Sequence, residues 1–192
     1  MKTLRTTLWS TFFAMLLAAG PALADKYDEA LQTFKSEKES AAFFSKSAGY
    51  ALFPTIGKAG LGVGGAYGEG RVYEKGKHIG DTKMTQVSIG LQAGGQGYSQ
   101  IIFFENQAAL DQFKSGNFEF GANVNAVVLR ASAGGTAGTT GASASASAGK
   151  EEKANTGEYY KGTVIFQFVK GGLMYEASVA GQKFSYKAVG SK

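Results

Sequence analysis

Gly60, Gly62 and Gly65 satisfy the G-x-G-x-x-G spacing that can cradle a dinucleotide pyrophosphate. That chemistry needs the glycines to end a strand and open a helix, with an acidic residue about 20 positions further on. Asp81 stands near that distance, but more glycines and the strand pattern Arg71-Val72-Tyr73 follow where the helix is required. The spacing therefore does not define a nucleotide site, and no Walker A motif occurs. His78 is the single histidine, and the chain has no cysteine, so the usual nitrogen and sulfur ligands of a metal site are missing. A Ser-His-Asp triad would have to use His78, yet there is no G-x-S-x-G elbow. Glu69, Glu74, Asp81, Glu105, Asp111 and Glu119 are scattered, with no spacing that argues for an acid/base pair. Arg71 and Arg130 suit either bidentate phosphate contact or ordinary surface ion pairs. No catalytic residue, metal ligand or cofactor is expected.

A different chemistry is carried by Phe43 and Phe44 between Lys38 and Lys46. Lysines interleaved with aromatic residues can lie on an anionic membrane surface, with ammonium groups at the head groups and rings below them. The same aromatics can instead pack inward on a sheet. These residues, with Arg71, form the candidate lipid-binding set.

The elements that would position them begin at Asp25. Tyr27, Ala30, Leu31 and Phe34 follow helical spacing through Lys38, with acids at the start and lysines at the end as the helix dipole favours. Ser40 is a candidate cap for a second short helix through Phe43 and Phe44. Gly57 to Gly70 is half glycine. On strand parity Gly60, Gly62, Gly64, Gly68 and Gly70 share a face with Ala66, opposite Leu61, Val63, Tyr67 and Arg71. Each glycine costs roughly 0.5–1 kcal/mol relative to alanine, so the bare face implies a geometric need: a backbone, helix or ligand approaching closely. Seating of the N-terminal helices is one such need. Lys75-Gly76-Lys77 marks a hairpin turn. Val87, Ile89, Leu91 and Ala93 alternate with Ser88, Gly90, Gln92 and Gly94, the pattern of a half-buried strand. Gly94-Gly95-Gln96-Gly97 reads as a break, and Tyr98 to Phe104 as a strand buried on both faces. Asn106 is placed to cap a helix that Gly116 ends. Phe118 to Ala131 alternates again, and residues 134–157 are an Ala/Ser/Gly-rich loop too poor in apolar area to order itself. Gly162 to Val169, Leu173 to Ala180 and Lys183 to Ala188 form a final meander with turns at Gly171-Gly172 and Gly181-Gln182. The expected class is α+β and β-rich. It is a largely antiparallel, barrel- or sandwich-like sheet of about seven to nine strands, with two or three mainly N-terminal helices.

Residues 1–24 fit a secretory signal peptide: Lys2 and Arg5, an apolar run from Leu8 to Ala19, and Ala22-Leu23-Ala24 for cleavage. One domain over residues 25–192, periplasmic or secreted, is then expected. Of 20 basic and 15 acidic residues, Lys2 and Arg5 go with the leader, leaving 18 against 15 and a net charge of +3. That mild balance, without a long basic run, argues against nucleic acid and permits weak attraction to anionic lipid. Zero cysteines exclude disulfides and a lipobox anchor.

The run Ala48-Gly49-Tyr50-Ala51-Leu52-Phe53-Pro54-Thr55-Ile56-Gly57-Lys58-Ala59-Gly60, followed by Gly64-Gly65-Ala66-Tyr67-Gly68-Glu69-Gly70, resembles the signature of the SYLF family, also called the Ysc84 actin-binding domain family. Gly90 to Gln96, Phe103 to Phe113 and Lys170-Gly171-Gly172-Leu173 resemble its later segments in order. The sequence departs from the eukaryotic pattern around Asp81-Thr82-Lys83, where a Trp-Ser segment is expected, and at Leu129-Arg130-Ala131, where Gly-Pro is expected. The resemblance implies a lipid-binding domain. Eukaryotic members bind phosphoinositides, partly through a basic N-terminal helix, and some bind actin. For an exported chain it implies phosphatidylglycerol or cardiolipin as the anionic partner, with Lys35, Lys38, Lys46 and Lys58 as the positions carried over. The competing expectation is an envelope interaction or scaffold protein that binds a partner through an exposed sheet edge.

Overall fold

Tyr27, Ala30 and Phe34 recur on one stripe of a helix, and the chain forms that helix where the stripe finds an apolar sheet to cover. The computed structural model describes residues 25–121, 126–129 and 157–190. Residues 1–24 of the expected leader, Asn123, Asn125, Arg130 and residues 134–156 of the expected loop lie outside them. Helix α1 spans Lys26–Ser36, capped by the Asp25 carboxylate, which accepts from the Tyr27 N–H. Helix α2 (Lys38–Ala41) and a 3-10 turn (Ala42–Phe44) follow. Ser40 caps neither. It lies buried inside α2 and donates its hydroxyl hydrogen to the Phe34 carbonyl at 2.6 Å, tying α2 to the end of α1.

Strand β1 runs Gly49–Glu74 and β2 runs Lys77–Phe104, joined by the expected turn. Lys75 and Gly76 both have positive φ, 49° and 76°, as a two-residue type I′ hairpin requires. Helix α3 (Gln107–Lys114) starts where Asn106 accepts from the Ala109 N–H at 3.0 Å, and short strands β3 (Phe118–Phe120) and β4 (Val127–Leu129) follow it. Strand β5 takes Thr163–Ala188 in one piece. The sheet order is β1-β2-β5-β3, with β4 parallel to β5 and every other pairing antiparallel.

The described sheet is open and has five strands, fewer than the expected seven to nine. The difference lies in the glycine clusters. Gly94 to Gly97, Gly171-Gly172 and Gly181-Gln182 read locally as turns, but each is paired within a continuous ladder. The β2 cluster has partners on both sides, which satisfies the backbone groups that a turn would otherwise have to satisfy. Irregularities at Phe53/Ile56 and Leu61/Val63 on β1, and at Gly97/Tyr98 on β2, bend the strands instead of ending them.

A 26-residue strand would reach about 85 Å if straight, at about 3.3 Å per residue. Bending folds β1 across itself, and this is the close approach that its bare face permits. A methyl group added at Gly68 would lie 2.5 Å from Ile56 Cγ1, one at Gly70 2.7 Å from the Leu52 carbonyl oxygen, and one at Gly49 2.5 Å from the Tyr73 carbonyl oxygen. The N-terminal helices do not seat on this glycine face; its neighbours are the strand's own first third and, further along, Gln92. The helices cover the opposite face, where Tyr27, Ala30 and Phe34 pack with Tyr50, Leu52, Ile101, Phe103, Val164 and Phe166.

The first third of β1, the end of β2 and the start of β5 therefore form a central layer with a core on each side. Register rows alternate between the cores. Tyr50-Phe103-Val164 and Leu52-Ile101-Phe166 face the helices; Ala51-Ile102-Ile165 faces the folded-over sheet, α3 and Phe184. Residues 98–104 are buried throughout, as their apolar run implies.

Candidate docking surface

The residues singled out for lipid contact fall into separate environments. Phe43 packs against Phe103, Tyr159 and Phe166 at centroid distances of 5.7, 5.3 and 5.3 Å, and Phe44 against Tyr50 and Phe103 at 5.3 and 4.9 Å. Both rings are partly buried and contribute to the helix-side core. Lys35, Lys38 and Lys46 are exposed around them, with Lys35 Nζ 5.7 Å from the Phe44 centroid. Asp28, Glu29, Glu37 and Glu39 belong to the same helical segment, so it is not a uniformly basic face. Arg71 Nη1 lies 2.7 Å from Asp25 Oδ2, and the guanidinium sits 3.9 Å above the Tyr27 ring. It clamps the first turn of α1, and its hydrogen bond holds the Asp25 carboxyl below the usual carboxylate range. Burial pushes the Tyr50 phenol on the same side up to about 12.

The polar residues with catalytic potential are engaged one by one. His78 Nε2 meets Asp81 Oδ1 at 3.0 Å and the Gly80 carbonyl at 3.1 Å. Glu69 accepts from the Tyr67 hydroxyl at 2.8 Å and pairs with Lys83 at 3.5 Å; Asp111 pairs with Lys114 at 3.0 Å, and Glu119 with Lys183 at 2.9 Å. No group of three or more metal-ligating side chains exists among the described residues.

The unusual surface lies at the far end of the sheet, beyond the double core, where β1 and β2 pass through their glycine clusters. The expected parity holds there, but the faces are inverted. Ser88 and Gln92 are buried, while Val87, Ile89 and Leu91 on the same strand are exposed. Leu61, Val63 and Tyr67 of β1 are exposed beside them, and Val63 pairs directly with Ile89. The inner face has no room for large apolar groups. A methyl group at Gly64 would lie 2.7 Å from Gln92 Oε1 and 2.9 Å from Ser88 Oγ. Gln92 fills that space and is satisfied in place, accepting from Ser88 Oγ at 2.8 Å and donating to the Gly62 and Ser88 carbonyls at 3.1 and 3.0 Å. Gly62, at φ 71°, forms the irregularity that turns its carbonyl toward Gln92.

Towards the core the interior stays polar. Gln167 donates to Gln100 at 2.7 Å, Gln100 to Gln182 at 3.4 Å, and Gln182 to Gln86 at 3.0 Å. This ladder joins a row of the central layer to a row of the folded-over layer, and it occupies inner positions that Val or Leu would take in an ordinary sandwich.

The outer face is consequently an apolar belt. Leu61, Val63, Tyr67, Val87, Ile89 and Leu91 are between 48% and 84% exposed. Together they present roughly 700 Å² to solvent, more than the 300–600 Å² of the largest patch on a typical monomer. One end of the belt is rimmed by Lys83 and Lys183 with their partners Glu69 and Glu119. At the other end Lys170 donates to Thr55 at 3.4 Å, and half-buried Lys58 lies on β1 between Thr55 and Leu61. None of the described helices is long and apolar enough to cross a membrane. Sequence reasoning named both faces of these strands without saying which one the solvent meets.

A long-stranded, inside-out sheet carries helices on one side of one end, with no assembled catalytic constellation among the described residues. The model of the Ysc84 family, described as Las17-binding protein actin regulator, matches residues 85–188, more than half of the chain. The chain belongs to the Ysc84 family, which is associated with lipid and actin binding. It is also 29% identical over 158 residues to Beta cell expansion factor A of Aeromonas veronii, across 80% of this chain and 51% of that protein. The chain thus spans about half the length of that relative. No solved structure matches it.

Proposed function

We propose that this protein is a phospholipid-docking module of the bacterial envelope, and that the apolar belt is the surface that enters the lipid. The observation that carries the reading is the inversion itself: Leu61, Val63, Val87, Ile89 and Leu91 are held outward on a rigid ladder while glutamines fill the interior. Such side chains gain about 25 cal/mol per Å² on leaving water, so a few of them supply binding on the scale of a lipidated anchor. Lys58 and Lys170 lie at one end of the belt, where each cation near an anionic head group adds about 1 kcal/mol, while Lys83 and Lys183 at the other end are ion-paired with Glu69 and Glu119. Lys35, Lys38 and Lys46 are then a secondary contact on the helix side. Family membership supports lipid as a partner class. Phosphatidylglycerol and cardiolipin fit an exported location.

The test is co-sedimentation of the purified protein with phosphatidylcholine vesicles and with phosphatidylglycerol or cardiolipin vesicles across a salt series. The expected result is binding to anionic vesicles that weakens with salt, since screening shortens to about 8 Å at physiological ionic strength. Leu91→Glu should lower affinity roughly ten- to a hundredfold, the worth of burying one leucine. A triple reversal of Lys35, Lys38 and Lys46 should lower it less. Equal binding by Leu91→Glu and the native chain would move the contact off the belt.

A second reading has one observation in its favour. Strand β1 is the end strand of the described sheet, so a protein partner can add a strand to its free edge. A single dominant protein partner, with no vesicle binding, would select it.

A further inference from the structure

We infer that in the absence of lipid the belt is covered by a second copy of this chain, so that the protein in solution is a face-to-face dimer. The inference rests on the belt being the docking surface only in its consequence, that membrane and second copy exclude each other; the dimer itself is argued from area and shape. Roughly 700 Å² of exposed belt-residue surface per copy sets an upper limit of about 1,400 Å² between two copies, which reaches the 1,200–2,000 Å² of a standard specific interface.

The shape also fits. Two antiparallel sheets pack about 10 Å apart when large side chains from each fill the space between them, and β-branched and leucine side chains at alternate positions supply that layer. Val63 and Ile89 form a direct cross-strand pair at the middle of the belt. The patch thus crosses both β1 and β2 and can meet its own image. A two-fold axis through Ile89 makes the interface isologous, so no further surface has to be complementary. The rim permits it, because the charges at one end come as the pairs Lys83–Glu69 and Lys183–Glu119, not as a single sign that would repel its copy.

Among the described residues the helix side offers no such surface. Its large aromatics, Phe43 and Phe44, are already packed on Phe103. The absence of cysteine makes the arrangement directly readable, since one introduced thiol is the only thiol in the chain. Ile89→Cys would stand beside its own image across the two-fold, whereas Lys35→Cys would stand on the far, helical side.

The experiment is sedimentation velocity of the purified chain from micromolar to sub-micromolar concentration without lipid, with mild oxidation of the two single-cysteine variants in parallel. The expected result is a concentration-dependent dimer, a disulfide-linked pair from Ile89→Cys and none from Lys35→Cys. Ile89→Glu should be monomeric at every concentration, with a far-ultraviolet circular dichroism spectrum like that of the native chain. A monomer throughout, or a dimer that forms equally in Ile89→Glu, overturns the inference. Anionic vesicles then separate it from the lipid reading. Vesicles that bind the chain and abolish the Ile89→Cys cross-link support both. A monomer that binds vesicles through the belt removes the dimer alone, and a cross-linked dimer indifferent to vesicles removes mutual exclusion.

Discussion

The two ends of strands β1 and β2 obey opposite rules. Near the helices, residues 50–53 of β1, 98–104 of β2 and 163–166 of β5 are buried, with apolar rows facing a core on each side. About ten residues along, the same ladder turns its leucines and valines outward and lines its interior with glutamine and serine. The three strands run through both regions, with the β1–β2 pairing interrupted around Gly62. The difference is what covers each face. At the first end α1, α3 and the folded-back strand supply apolar partners; at the second the inner space is narrowed to Gln92, Ser88 and glycine. The first region holds the fold together, and the second is available for contact.

The contrast is most severely tested by truncating one large side chain at each end. Phe103→Ala, at the meeting point of Phe43, Phe44, Tyr50 and Phe166, should cost about 3–5 kcal/mol in urea unfolding. Leu91→Ala should change stability by no more than about 0.5 kcal/mol while weakening vesicle binding. Equal losses at the two sites would erase the distinction.

A smaller effect separates the two kinds of glycine. Gly70→Ala places a methyl 2.7 Å from the Leu52 carbonyl and from Phe53 Cδ1, and should cost about 1–3 kcal/mol by thermal melt. Gly57→Ala, with nothing within 4 Å of the added methyl, should be neutral or stabilising by about 0.5 kcal/mol.

The glutamine ladder should behave as polar structure, not as filler. Gln100→Leu strands the Gln167 amide and the Gln182 carbonyl oxygen, so a loss of about 1–3 kcal/mol is expected despite the added hydrophobicity. A stabilised Gln100→Leu would mean that the interior tolerates an apolar row after all.

The smallest effect concerns the clamp on α1. The Asp25 carboxyl titrates below its ordinary 3.8 because of Arg71, so its contribution is present above that value and is lost as pH falls through the depressed folded value. Protection of the amides of residues 26–30, relative to intrinsic exchange, should fall as the pH drops below the ordinary 3.8 through the depressed folded value, and Asp25→Asn should show that loss of protection already at neutral pH. Global unfolding should hardly move.

Several elements were legible because their signals are local. Asn106 capping α3, the Lys75-Gly76 turn, the α1 stripe and the fully buried run 98–104 each depend on a few neighbouring residues, and each stands as the sequence implies. The strand count was not legible. A glycine pair satisfies turn geometry and a bent, doubly paired strand equally well, and only the tertiary ladder decides. Nor was the orientation of the belt. Alternation at Val87, Ile89 and Leu91 gives two faces but not which is inward, and the deciding residues are Gly64 and Gln92, on different strands in the narrow interior. The rings of Phe43 and Phe44 had two open readings, and the central layer offers them Phe103.

The Lys75–Gly76 turn has a kinetic consequence. It sits at the closed end of a ladder whose last pair, Gly49 with Phe104, is 55 residues apart in sequence. Short-range pairs next to the turn close at little entropic cost, and each makes the next one nearly local, so the hairpin can zip towards the core without a long loop search. A slip of one residue at that turn would carry every leucine of the belt inward and every glutamine outward. The two residues with positive φ therefore set not only where the chain reverses but which side of the finished molecule is greasy, and Gly76→Val should slow refolding far more than it speeds unfolding.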